Sequence, residues 1–340
     1  MFKNVCLYRL PADWQPSIEE MEHALQANRF TPCGATQEKS VGWTEPRGEA
    51  HGPLVESIDG QRILRLAMET KSVPGAVVRK KAQEEADHIE ATTGRKPGKK
   101  ETRALKEDAL LALLPQAFAR ESFTWVWLDL KNGWLVVDAS SQGKVDEVIS
   151  ALVDAFDGLP IAPVHTAMTP QTAMSNWLLA ESLDDLPGAF CVERECELKS
   201  NDEERSAVKF TRHNLATDEV RQHIREGKLP TRLALSWEGR IGFVLTESMQ
   251  LKKVAFLEGV FEDRVQMDGD DSGFDTDVAL STGELRQLIP ALIEALEGEI
   301  SAEDALAAAT ASAKANAQPA PSGKVHSQVT SSDDTTEAPF

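Results

Sequence analysis

A chain of 340 residues with 41% hydrophobic and 27% charged residues is long enough to bury a sizeable core and to divide into two or three domains, which excludes a protein disordered throughout. No apolar run approaches the roughly 18–20 residues that span a bilayer, and MFKNVCLYRLPADW has no signal-peptide core, so a cytoplasmic protein without a membrane partner is expected. The net charge of −19 argues against a uniformly basic nucleic-acid coat, but its distribution is uneven.

Residues 2–10 alternate through Val5, Leu7 and Leu10 as a first strand. A capping box, Ser17-Ile-Glu-Glu20, then starts a helix with Ile18, Met21 and Leu25 on one face, and Pro32 and Gly34 stop the chain from continuing it. After a polar loop, 54–58 and 62–68 read as strands joined at Asp59-Gly60. The next stretch inverts the charge. Between Lys71 and Lys106 ten basic residues face five acidic ones, a local +5 that leaves −24 for the rest of the chain. Two helices are expected there, split by GRKPGKK at 94–100, with Pro115 ending the second so that Phe118 projects beyond the break.

Residues 123–129 and 134–138 form a hairpin around Asn132-Gly133. Trp125, Trp127 and Trp134 fit sheet packing better than base stacking, because they alternate within strand patterns. A strongly amphipathic helix at 144–156 follows. A second region starts near His165: a short helix in TPQTAMSNWLLA, strands at 189–199 and 207–212, a helix capped by Thr217 and closed by Gly227, a hairpin around 238–240, and a strand at 251–256. An acidic loop at 261–272 leads to FDTDVAL, read as a strand, and to a last helix capped by Thr282 and kinked at Pro290. From 301 onward the Ala, Ser, Thr and Pro content reads as a disordered tail.

Local motifs for catalysis are missing. The GRKPGKK stretch fails as a phosphate loop, since its spacing is wrong and Lys100 stands where a hydroxyl must hold magnesium. His165, His213 and His223 are isolated and read as structural or surface residues. Cys6, Cys33, Cys191 and Cys196 read as buried, reduced thiols, and Cys191/Cys196 lacks the second ligand pair of a zinc site. The acid pairs Asp184-Asp185, Asp270-Asp271 and Asp333-Asp334 fall in polar loops. No catalytic residue, metal ligand or cofactor is therefore assigned.

Several stretches in fixed order carry a resemblance: MFKN with YRL, FTPCG with Gly42-Trp43, LLPQAF at 113–118, the Asn-Gly hairpin ending in Val137-Asp138, LALSW with IGFV, LKKVAF, and TGELRQLIP. Together, over roughly residues 1–298, they resemble the bacterial recombination-associated protein RdgC family. The resemblance implies a non-enzymatic, nucleoid-associated protein that binds double- and single-stranded DNA with little sequence preference and restrains RecA-mediated strand exchange. It also implies a ring-shaped homodimer with a basic hole. By the resemblance, Phe118 corresponds to a projecting phenylalanine of the dimer contact, and Lys228 to a basic position on the DNA-facing side. Gln116 departs from an arginine common in relatives, and Arg212-His213 stands where they have a Lys-Gln pair.

The expected architecture is α+β: a central mixed α/β sheet unit (1–75 with 119–164), a protruding helical tip (76–118), a second sheet-plus-helix domain (165–300) and the tail (301–340). Charge clustering nominates Lys71, Arg79, Lys80, Lys81, Arg95, Lys96, Lys99 and Lys100 for DNA, and the resemblance adds Arg212 and Lys228. Two other readings stay open on the residues alone: a module docking an acidic partner through the basic hairpin, and a metal-dependent nuclease.

Overall fold

The structure, a computed structural model, describes residues 1–181, 186–202, 205–257, 260 and 273–307. In chain order the first elements are β1 (Val5–Arg9), α1 (Ile18–Gln26), β2 (Lys39–Thr44), β3 (Glu56–Ile58), β4 (Gln61–Lys71), α2 (Gly75–Thr93) and α3 (Lys99–Leu113). Then come β5 (Ala119–Asp129), β6 (Trp134–Val137), α4 (Gln142–Ala155), the two-residue strands β7 (Ala162–Pro163) and β8 (His165–Thr166), and α5 (Pro170–Leu179). After these come β9 (Phe190–Ser200), β10 (Ala207–Thr211), α6 (Asp218–Arg225), β11 (Lys228–Trp237), β12 (Ile241–Thr246), β13 (Gln250–Phe256), α7 (Gly273–Ala295) and the two-residue strand β14 (Glu299–Ile300).

Among the described residues twelve strands share one sheet in the order β10-β9-β11-β12-β13-β1-β6-β5-β4-β2, with β3 on β4 and β7 on β1. β1 is the seam. It pairs antiparallel with β6 on one side, Cys6 opposite Val137, and with β13 on the other, Val5 opposite Leu251. Alternation along β1 then assigns the two cores: Val5 and Leu7 enter one, Cys6 the other. The first core lies under α5, α6 and α7, through residues such as Met174, Trp177, Val220, Leu285 and Leu288. The second lies under α1 and α4, through Met21, Leu25, Val145, Val148 and Leu152.

Turn chemistry behaves as the residues dictate. Asp59 and Gly60 both take positive φ (49° and 77°), which suits the two-residue turn between Ile58 and Gln61, and Glu238 and Gly239 do the same (49° and 64°) in the three-residue connection between Trp237 and Ile241. The Ser17 capping box is present, with the Ser17 hydroxyl accepting from the Glu20 N–H. Trp127 and Trp134 are buried in the sheet as expected.

Four expectations need correction. The polar loop contains β2, which pairs along β4 from Lys39 opposite Thr70 to Thr44 opposite Arg65. Its alternation is interrupted by Gly42, where an added methyl would lie 2.5 Å from the Phe30 Cα because the 28–30 segment runs against Trp43. FDTDVAL is not a strand, since Phe274–Leu280 lies within α7. Thr282 is not a cap. Its hydroxyl donates to the Val278 carbonyl at 2.8 Å, one turn back inside the helix. Thr217 does precede α6, but its side chain makes no capping bond and its hydroxyl is buried without a partner.

The thiols also divide. Cys6 and Cys196 are buried, and burial pushes their pKa values up to about 11 and about 12, whereas Cys33 is half-buried and Cys191 exposed. The acidic loop at 261–272, Asp184-Asp185, Asp270-Asp271, Asp333-Asp334 and the tail from 308 lie outside the described residues. Residues 302–307 form a short helix.

Charge pairs fasten α7 to the sheet. Arg47 reaches Asp275 at 2.5 Å, Arg240 pairs with Glu284, and Arg286 Nε stands 3.0 Å from Asp129 Oδ2. Asp129 is fully buried and also accepts from the Asn132 backbone and side-chain amides. Replacing Arg286 by methionine would leave a buried carboxylate without its cation. Because the arginine is 33% exposed, the expected loss is at the low end for such pairs, about 2–3 kcal/mol, measured by urea unfolding.

Candidate nucleic-acid interface

The β4–β5 ribbon runs in unbroken register from Arg62 opposite Leu128 to Lys71 opposite Ala119, and the α2–α3 hairpin grows from its end. α2 has 19 residues, about 28 Å of helix at 1.5 Å per residue. Only Ala82 in α2 and Ala109 in α3 are buried, so the pair projects with most of its side chains in water. At the tip, Gly94 takes a left-handed φ of 72° and its N–H donates to the Glu90 carbonyl, while Glu101 reaches back to the Gly98 N–H and holds Arg95 at 3.0 Å. The loop is thus pinned and not a free flap.

The nominated cations differ in availability. Lys80 contacts Glu84 at 4.0 Å and Lys96 contacts Glu90 at 3.8 Å. These pairs and Arg95–Glu101 are exposed, and such pairs are worth about 0–1 kcal/mol, so little holds these cations to their carboxylates. Among the described residues Arg79, Lys81, Lys99, Lys100 and Lys106 make no ion pair. Lys71 is different: its ammonium donates to the carbonyls of Cys33 and Gly34 at 3.3 and 2.8 Å, strapping the 33–34 turn to the root of the hairpin.

Phe118 lies just after a 3-10 turn at Leu114–Gln116 and is 95% exposed. Leu114 is buried at that turn, which anchors the break and leaves the phenylalanine outside. Val77 in the first turn of α2 and Leu111 near the end of α3 are also exposed, so three large apolar side chains near the root of the hairpin stand in solvent.

Arg212 and Lys228 are not part of this surface. Arg212 follows β10 with a φ of 54°, and Lys228 begins β11, with its ammonium 3.2 Å from His223 Nδ1. β11 and β5 stand five strands apart in the sheet, about 24 Å at the usual interstrand spacing. The chain therefore carries basic residues at two separated places.

The cations that sequence reasoning missed lie on the face of β9–β13 turned away from α5–α7. Glu195 takes Lys253 at 3.0 Å and Lys209 at 3.7 Å, and Glu197 takes Lys199 at 2.8 Å and Arg232 at 3.7 Å. The Lys199 ammonium holds the Glu197 carboxyl below its usual range. Period-two charge in ERECELK at 193–199 was the available signal. Among the described residues no group of three or more His, Cys, Asp or Glu is placed to hold a metal ion, and no helix is long and apolar enough to cross a membrane.

The fold and this surface define a class: an α+β protein on one large antiparallel sheet, with a projecting basic hairpin on an acidic body. Residues 1–299 match the family described as "Putative exonuclease, RdgC". The chain is 43% identical over 299 residues to the recombination-associated protein RdgC of Herminiimonas arsenicoxydans, covering 88% of this chain and 98% of that one. To the proteins of the same name from Dechloromonas aromatica and Janthinobacterium sp. it is 41% and 42% identical, again over 88% of this chain and 98% of theirs. The chain belongs to the RdgC family.

Proposed function

We propose that the protein is a non-enzymatic DNA-binding protein that closes around DNA as a homodimer, without sequence preference, and modulates RecA-dependent recombination and replication-fork repair at the nucleoid. The observation that carries this reading is the continuity of two features in one hairpin: unpaired cations along α2 and α3, and the 95% exposed Phe118 at its root. Positive charge on a net −19 chain attracts phosphates to one surface while the rest of the body repels them. The name shared by the relatives, recombination-associated protein, supports the process.

A two-fold partner would bring a second hairpin and a second Arg212–Lys228 region to the duplex, which gives the separation of the two basic places a use. Anisotropy titration of labelled random duplex tests the reading. Submicromolar binding without dependence on sequence supports it, and no binding at about 50 mM salt overturns it in favour of an acidic protein partner for the hairpin. The family description favours a second reading, exonuclease. Loss of end-labelled nucleotides in the same mixture with magnesium or manganese would establish that activity.

A further inference from the structure

The Lys228 ammonium has donors only, so at 3.2 Å the His223 Nδ1 must be the acceptor. The imidazole is then neutral, with its proton on Nε2. The same Nδ1 lies 3.8 Å from Glu226 Oε2. One ring nitrogen therefore faces a cation that needs it bare and an anion that would accept a hydrogen bond from it once it carries a proton.

We propose that His223 is a proton-operated latch on Lys228: neutral, it holds the lysine against α6; protonated, it turns to Glu226 and frees Lys228 for a phosphodiester backbone. This rests on the DNA-binding reading above and adds a residue and a mode of control to it. A proton on Nδ1 removes the acceptor, sets two cations about 3 Å apart, and creates a donor for Glu226. Among the described residues the ammonium has no other hydrogen-bond partner, so the released lysine gains most from a phosphate oxygen. The extra positive charge on His223 adds to the same field.

His223 packs on the Phe210 ring at 6.1 Å, and His213 packs on the same ring at 5.3 Å, its Nδ1 buried without a partner. The ionisable groups that face His223 include Lys228 of β11, Glu226 at the end of its own helix, Glu219 one turn back on that helix, and His213 across the Phe210 ring. α5, which packs on α6, carries no ionisable side chain from Pro170 to Leu179.

The experiment uses the full-length protein and a random duplex at fixed ionic strength, titrated between about pH 8 and about pH 6, where imidazole changes charge. Glutamine at 223 can accept from Lys228 but cannot titrate. Wild-type affinity should rise about three- to tenfold more than that of His223→Gln across the interval, as one linked proton allows, and His213→Gln should keep the wild-type slope. Nitrogen-15 NMR at pH near 8 should show the Nε2–H tautomer of His223, and DNA should raise the pH at which the ring titrates. Equal pH slopes for wild type and His223→Gln, or an Nδ1–H tautomer, overturn the latch while leaving DNA binding intact. Absence of binding at every pH overturns the DNA-binding reading and the latch with it.

Discussion

Raising salt from about 50 to about 200 mM should weaken duplex binding by on the order of a hundredfold or more, because five phosphate contacts give a log–log slope near −4.5. Five is the number of hairpin cations without an ion pair among the described residues: Arg79, Lys81, Lys99, Lys100 and Lys106. The exposed pairs Lys80–Glu84, Arg95–Glu101 and Lys96–Glu90 exchange carboxylate for phosphate at little cost and steepen the slope further. Replacing Lys99 and Lys100 together by glutamine should reduce the slope by about two and leave the melting temperature unchanged, since both side chains are exposed at the start of α3. A slope near zero in the wild type would place the interface away from the hairpin.

Phe118→Ser should separate association from folding. The ring is 95% exposed, so its loss removes no packing within its own chain, and the unfolding free energy should change by no more than a surface substitution's, about 0.5 kcal/mol, with Tm nearly unchanged. In a two-fold contact the ring is used twice. At about 2 kcal/mol for each buried aromatic side chain, the dimer dissociation constant should rise roughly a hundredfold or more. Sedimentation velocity across a concentration series measures this, and the off-rate from closed circular DNA should rise in parallel. An unchanged dimer with unchanged retention on DNA would remove Phe118 from the contact. Arginine in place of Gln116, beside the same root, is expected to be tolerated by the fold, because Gln116 is exposed.

Much of the local structure was written in short-range chemistry. The Ser17 capping box, the Asp59-Gly60 and Glu238-Gly239 turns and the Pro115 break each depend on residues a few positions apart, and each is present. FDTDVAL failed for a physical reason. Its two-residue alternation is real, but Val278 lies in line with Thr282 and Leu285 at helical spacing, and that longer period places a continuous stripe on the sheet. β2 failed because Gly42 yields its side-chain space to Phe30, a neighbour twelve residues away, and a glycine looks like a loop residue until that neighbour is known.

The sequence by itself determined the sign and place of the basic hairpin, the break that leaves Phe118 outside, and most strands and helices, because charge, proline geometry and hydrophobic period act over one or two turns. Only the tertiary structure decided that β1 joins the first and last parts of the chain in one sheet, since the Cys6–Gln250 and Cys6–Val137 pairings lie far apart in sequence and any strand of matching pattern could have filled the seam. It also decided which cations are spent. Lys71 on the carbonyls of the 33–34 turn and Lys253 of β13 on Glu195 of β9 are alike in sequence to Lys99 and Lys100, but their partners come from other strands and turns. A lysine's charge is fixed by its chemistry, whereas its freedom to meet a phosphate depends on what the fold brings within about 3 Å of it.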